Sequence, residues 1–169
     1  MLESGAKVLV RDSRPSDAEA LANLFRDSWE LAYQGIIPQL HLEALIQRRG
    51  LSWWKRSLRK ARGTLIVDVD GTVAGYSTCG ASRRRGKYQG EIYELYLAPE
   101  YQGLGLGEHL FEASRHCLDM RQLRGVVVWA LLDNTMACDF YWRRGGRPIA
   151  QASDRFGEVQ LTKVAFGWH

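Results

Sequence analysis

The sequence predicts a mixed α/β fold, one mostly antiparallel sheet with helices packed on it. Three observations lead there. Short runs rich in β-branched and aromatic residues recur at 64–69, 72–79, 91–97 and 125–132. Segments with helical apolar spacing separate several of them, at 18–29, 106–120 and after Asn134. Asp70-Gly71 joins two of the strands through a tight hairpin signal. That order of strands and helices is a mixed α/β layer arrangement around one sheet. A chain of 169 residues, 46% hydrophobic and 25% charged, fits a single domain over residues 1–169.

In chain order, Val8-Leu9-Val10-Arg11 reads as the first strand. Ser13-Arg14-Pro15 then turns the chain, and Ser16 or Ser13 is the expected helix cap. Ala18, Leu21, Ala22, Leu24, Phe25 and Trp29 share one helical face. Gly35-Ile36-Ile37-Pro38 breaks that helix. A second helix is expected from Leu40 to Arg48 with Leu42, Leu45 and Ile46 inward, and a short third from Ser52 to Ala61. After the hairpin and the strand at 91–97 comes a helix from Leu106 to about Met120. Gly125 to Leu132, apolar and β-branched, reads as a buried strand. The helix after Asn134 should close at Gly145-Gly146. The last strands are expected at Arg147–Gln151 and Glu158–Phe166.

Composition narrows the setting. No run reaches the ~18 apolar residues of a membrane span, and the N-terminus lacks the apolar core of a signal peptide. Cys79, Cys117 and Cys138 form neither a metal spacing nor an even disulfide set, so a reducing cytoplasm is expected. The net charge of +4 is mild. Arg83-Arg84-Arg85-Gly86-Lys87 is the densest basic run. It lies between two strands, where a solvated hairpin loop is the ordinary outcome, and nothing else supports a nucleic-acid partner.

The chemistry centres on Gln102-Gly103-Leu104-Gly105-Leu106-Gly107, followed by Glu108, between a strand and a helix. Alternate glycines let the backbone turn and let a ligand come close. Free N–H groups at the helix start then favour an anion, here a pyrophosphate. A P-loop would need Lys-Ser or Lys-Thr after the last glycine, but Glu108-His109 follows. A dinucleotide fingerprint from Gly103 would need glycine at Glu108.

The pattern Gln-x-x-Gly-x-Gly resembles the acyl-CoA loop of the GCN5-related N-acetyltransferase family. Leu95-Tyr96-Leu97-Ala98-Pro99 before it, and Asn134, Ala137, Phe140 and Tyr141 after it, match that family in type and spacing. The resemblance covers residues 91–145 closely and the rest more loosely. It implies the acyl-CoA N-acyltransferase fold, whose fourth and fifth strands splay apart around the thioester. It implies acetyl transfer from acetyl-CoA to a primary amine, of a small molecule or a protein, by direct attack in a ternary complex, with no metal. Residues 102–108 would cradle the pyrophosphate. Leu95, Tyr96 and Leu97 would present their strand to the pantetheine arm, with an oxyanion donor near Leu97. Asn134 would cap its helix, bond the same arm, or both.

Tyr141, seven residues after Asn134 and on the same helix face, is the general-acid candidate. Glu91 and Glu94 are the candidate bases. Glu91 stands eleven residues before Gln102, as does the glutamate base of the histone-acetylating members. Glu94, three residues further on, should point to the opposite strand face. Each has a structural salt bridge as its alternative role. Trp129 falls where some protein N-terminal acetyltransferases carry a base. Trp29, Tyr33, Ile36 and Ile37 would wall the acceptor, or pack in the core. The family's inward Phe after the last helix is missing, with Gly145-Gly146-Arg147 in its place. A non-catalytic acyl-CoA sensor of the same fold is the alternative function, and a homodimer is left open.

Overall fold

The structure, a computed structural model, describes residues 2–60 and 62–169. Seven strands form one sheet: β1 (Val8–Asp12), β2 (Thr64–Val69), β3 (Thr72–Ala81), β4 (Gly90–Leu97), β5 (Val126–Leu131), β6 (Arg147–Phe156) and β7 (Val159–Trp168). Their order is β1-β2-β3-β4-β5-β7-β6. All neighbours are antiparallel except β4 and β5. Helices α1 (Ala18–Tyr33), α2 (Gln39–Arg48) and α3 (Leu51–Lys60) precede β2; α4 (Leu106–Met120) and α5 (Thr135–Arg143) flank β5 in sequence. Ala61, the expected end of the third helix, lies outside the described residues.

The two faces of the sheet carry separate cores. Phe25, Trp54, Ile66 and Tyr76 join α1 and α3 to one face. Phe111, Leu118, Val128 and Phe166 join α4 to the other, with Tyr141 of α5. Every residue of β2 is buried, as expected for a strand covered on both sides. Asp70 and Gly71 both have positive φ, 51° and 84°, the signature of a type I′ hairpin.

Neither Ser13 nor Ser16 caps α1. A short 3₁₀ turn at Pro15–Asp17 leads into it, and the Asp17 carboxylate accepts from the Arg14 N–H at 2.7 Å. Arg11 holds Asp17 and Asp68 at 2.9 Å each, tying β1, β2 and the helix start together. β6 runs five residues past its expected end. It is the edge strand and mostly exposed, so its sequence lacks the apolar signal, and pairing with β7 maintains it.

Two irregularities shape the site. β4 pairs with β5 only at Gly90–Ile92 against Val126–Val128. Beyond Ile92 the strands part, while β5 continues to pair with β7 through Leu131. The second is a bulge. Across β3, Thr78 faces Glu94 and Cys79 faces Ile92, so Tyr93 is an extra residue in β4. One inserted residue reverses the alternation that follows it. Glu91 and Glu94 therefore share the α1–α3 face rather than pointing apart, a correction to the expectation from simple period two.

Candidate active site

The gap between β4 and β5 opens into a cleft of about 340 Å³. Leu95, Tyr96 and Leu97 form one wall, the glycine loop closes one end, and Asn134 and Tyr141 of the α5 segment face them. Ala98 N–H donates to Ala74 O across β3. By alternation the backbone groups of Leu95 and Leu97 turn away from β3 into the gap. The Gln102 side chain donates to Leu97 O at 3.2 Å and ties the loop to the strand end.

The glycines act differently from one another. Gly103 and Gly105 have φ of 76° and 80°, and a Cβ on either would meet nothing within 4 Å. They are needed for left-handed backbone, and the space beside them is open. Gly107 lies under Phe140, where a Cβ would come within 3.1 Å of the ring, so it lets α4 and α5 approach. Gly105 is the N-cap of α4, and no side chain caps this helix. The N–H groups of Leu106, Gly107 and Glu108 thus lack intrahelical partners at the positive end of a helix of 15 residues, a geometry that favours an anion. The Leu104 and Leu106 side chains pack into the core with Leu110, so these residues offer the loop only their backbone.

Arg144, which the sequence reading did not single out, also lines this cleft. Its guanidinium lies 3.6 Å from the Phe140 ring centre, and its buried Nε has no hydrogen-bond partner among the described residues. Its Nη1 donates to Phe140 O at 3.0 Å and its Nη2 lies 3.8 Å from the Glu108 carboxylate, and a guanidinium beside a glycine cradle suits a phosphate oxygen. The signal available in sequence was the Arg143-Arg144 pair closing α5.

Tyr141 is buried, with Phe111, Phe166 and Trp168 rings 5.9–6.2 Å away, yet it reaches the cleft lining. Burial, with Tyr33 and Cys138 nearby, pushes its hydroxyl well above the usual phenol range. It is a proton carrier at neutral pH. Asn134 caps α5, accepting from Ala137 N–H at 3.3 Å. Trp168 fills the space of the missing inward Phe. A Cβ on Gly146 would lie 2.5 Å from its ring, and the indole N–H donates to Arg144 O at 2.9 Å.

The carboxylates on β4 have separate surroundings. Glu91 is 1% exposed. Arg83 closes over it, its backbone N–H donating at 2.9 Å and its Nη2 at 2.6 Å. Glu91 is thus a structural ion pair shut off from the cleft, a correction to its expected part as a base. Glu94 lines a second cavity on the α1–α3 face, of about 460 Å³. There it meets Arg49 at 2.9 Å, Thr78 at 3.1 Å and Tyr76 at 3.4 Å.

Trp29 lines that second cavity. Tyr33 lines neither space and packs in the core with Ile37, Leu42 and Leu131 rather than walling the acceptor, its hydroxyl 3.2 Å from that of Tyr96. Ile36 and Ile37 do not form a wall. Gly35, at φ 81°, folds them back onto Leu42, Leu131 and Leu161, and Ile37 is 3% exposed. The basic run is largely engaged: besides its bond to Glu91, Arg83 lies on Tyr93, Arg84 on Trp129 and Lys87 on Tyr88. Among the described residues, no three His, Cys, Asp or Glu side chains gather to hold a metal ion. No helix there is long and apolar enough to cross a membrane.

A seven-stranded sheet that splays beside a left-handed glycine loop is the acyl-CoA N-acyltransferase fold. The acetyltransferase (GNAT) family model matches residues 18–146. The chain belongs to that family and is an acetyl-CoA-dependent acetyltransferase. Over 163 residues it is 29% identical to YuaI, an uncharacterized N-acetyltransferase of Bacillus subtilis (strain 168), spanning 95% of this chain and 92% of that protein. It is 37% identical over 83 residues to a mycothiol acetyltransferase of Pseudarthrobacter chlorophenolicus, 48% of this chain but 26% of that protein. Its fold resembles the PaiA N-acetyltransferase of Thermoplasma acidophilum, solved in complex with coenzyme A, with a TM-score of 0.74 at 19% identity over 93% of this chain and 98% of that one.

Proposed function

We propose that the chain moves an acetyl group from acetyl-CoA to a primary amine by direct attack in a ternary complex, and that residues 1–169 act as one catalytic domain. The observation that carries this is the cleft through the β4–β5 gap, with a left-handed anion cradle at one end and Tyr141 in its wall. Acetyl-CoA supplies the thioester. The backbone of residues 102–108 and Arg144 hold its phosphates, and the exposed edge of Leu95–Leu97 pairs with the pantetheine arm. The Leu97 N–H, turned into the gap, donates to the carbonyl oxygen.

Tyr141 donates its proton to the departing sulfur. Its raised pKa makes that transfer costlier than for an exposed phenol, about 1.4 kcal/mol per unit. The same dry surroundings disfavour a free thiolate, which raises the sulfur's proton affinity in parallel. Glu94, on the other side of β4, attracts the ammonium and takes its surplus proton toward solvent.

An acyl-enzyme is disfavoured by the nucleophiles present. Burial and Cys117 push the Cys79 thiol up to about 12, and burial raises Cys138 as well. Ser114 is buried between the Ser77 hydroxyl and Leu110 O. Three unpaired cysteines fit the reducing cytoplasm expected from sequence. The test is thiol release from acetyl-CoA across a panel of amines. Acetylated amine and free CoA should appear in equal amounts with at least one acceptor. Tight CoA binding without transfer to any amine overturns the reading.

A further inference from the structure

The second cavity, on the α1–α3 face, carries more positive charge than its carboxylate balances. Arg49, Arg62 and Arg83 line it together with Glu94. Arg49 is taken up by Glu94, and Arg83 by Glu91 beneath it. Arg62 is exposed and makes no ion pair among the described residues. The rings of Trp29, Trp53 and Tyr93 supply flat apolar wall.

Glu94 stands on β4 between this cavity and the donor cleft. It lines the former, while Leu95, next in the chain, lines the latter. An amine beside Glu94 is within a few residues of strand, ~3.3 Å each, of a thioester held along Leu95–Leu97.

Resting on the transfer reading above, we propose that this cavity is the acceptor site and that the acceptor is a small amine carrying an oxyanion, carboxylate or phosphate. Its oxyanion lies against the exposed guanidinium of Arg62, and its ammonium lies toward Glu94. The cavity, about 460 Å³, suits a molecule of amino-acid size. A polycationic amine would face three guanidiniums. In the transfer the amine nitrogen bonds to the acetyl carbon and the C–S bond breaks. The sulfur takes the Tyr141 proton, and the surplus amine proton leaves through Glu94. The oxyanion is unchanged.

The experiment compares matched amines differing in the anionic group alone: 4-aminobutanoate with 4-aminobutanamide, phenylalanine with phenylalaninamide, and 2-aminoethyl phosphate with 2-aminoethanol. The oxyanion member of at least one pair should show a tenfold or greater advantage in kcat/KM. Arg62→Gln should reduce that advantage to threefold or less through KM, and Arg62→Lys should restore most of it. Neutral members that react as well as, or better than, their anionic partners overturn the proposal and leave the transfer reading standing. If no amine releases thiol, the transfer reading falls, and tryptophan-fluorescence titration of the CoA-loaded protein with the same pairs decides. Preferential binding of the oxyanion members, lost in Arg62→Gln, upholds the anion site; equal or absent binding overturns it.

Discussion

On the donor side of β4, the cleft draws most of its wall from two stretches, 95–108 and 134–144. On the other side, the second cavity, proposed for the acceptor, takes Trp29 from α1, Trp53 and Ser57 from α3, Thr64 from β2, Thr78 from β3 and Glu94 from β4. The donor side depends on backbone: left-handed glycines, an uncapped helix start and an unpaired strand edge. The acceptor side depends on side-chain charge. A backbone site needs particular residues at particular spacings, so it leaves a motif. A side-chain site can be assembled from any elements the fold brings together. The donor side should therefore respond most to changes of conformation, and the acceptor side to changes of charge.

The largest effect should come from Tyr141→Phe, which keeps the ring among Phe111, Phe166 and Trp168 but removes the proton. We expect kcat to fall by about 10²–10⁴, with the acetyl-CoA Kd nearly unchanged. Full activity on the true acceptor would make Tyr141 a core residue and leave the thiolate to its own protonation. Next is Gly105→Asp. It places a carboxylate near the pyrophosphate, ~1–4 kcal/mol of repulsion at about 4 Å, and holds a non-glycine residue in left-handed backbone at ~1–2 kcal/mol. Calorimetry should show CoA binding weakened about 10- to 1,000-fold in a folded protein. Unaltered affinity would remove the cradle from the donor side.

The β4 glutamates sharpen the comparison because they share a face. Glu94→Gln should lower kcat/KM about tenfold near neutral pH and less at high pH, where the amine arrives already deprotonated. The low-pH limb of the rate profile then moves upward in pH. An unmoved limb would assign Glu94 to structure alone. Glu91→Gln should leave that limb in place. It weakens the ion pair with a mostly exposed Arg83, so the loss is one of stability, about 1 kcal/mol once solvent screening is allowed for. Thermal unfolding should show it as a few degrees of Tm. A shifted pH profile in Glu91→Gln with unaltered Tm would reverse the parts given to the two carboxylates.

Much of this was legible before any coordinates. Asp70-Gly71 marks the hairpin because a type I′ turn demands two positive φ angles. The apolar run at 125–132 marks the buried central strand. Gln102 through Gly107 marks the left-handed loop at the uncapped start of α4, and Tyr141 follows Asn134 at the interval that keeps both on one helix face. Edge strand β6 was legible only in part, since an exposed strand has no apolar alternation to read.

Sequence by itself thus determined the sheet-and-helix order, the glycine loop and the residues flanking the splayed strands. These are set by short-range rules: allowed φ and ψ, helical period and turn chemistry. Tertiary structure alone decided which glutamate faces the second cavity. Strand alternation put Glu91 and Glu94 apart, and the single inserted residue at Tyr93 brought them to one face, with Arg83 shutting Glu91 and Arg49 holding Glu94. It also turned Ile36 and Ile37 into the core and brought Trp168 from the last strand into the space beside Gly146. Such outcomes depend on which distant side chain reaches a given volume first, and close packing admits one occupant.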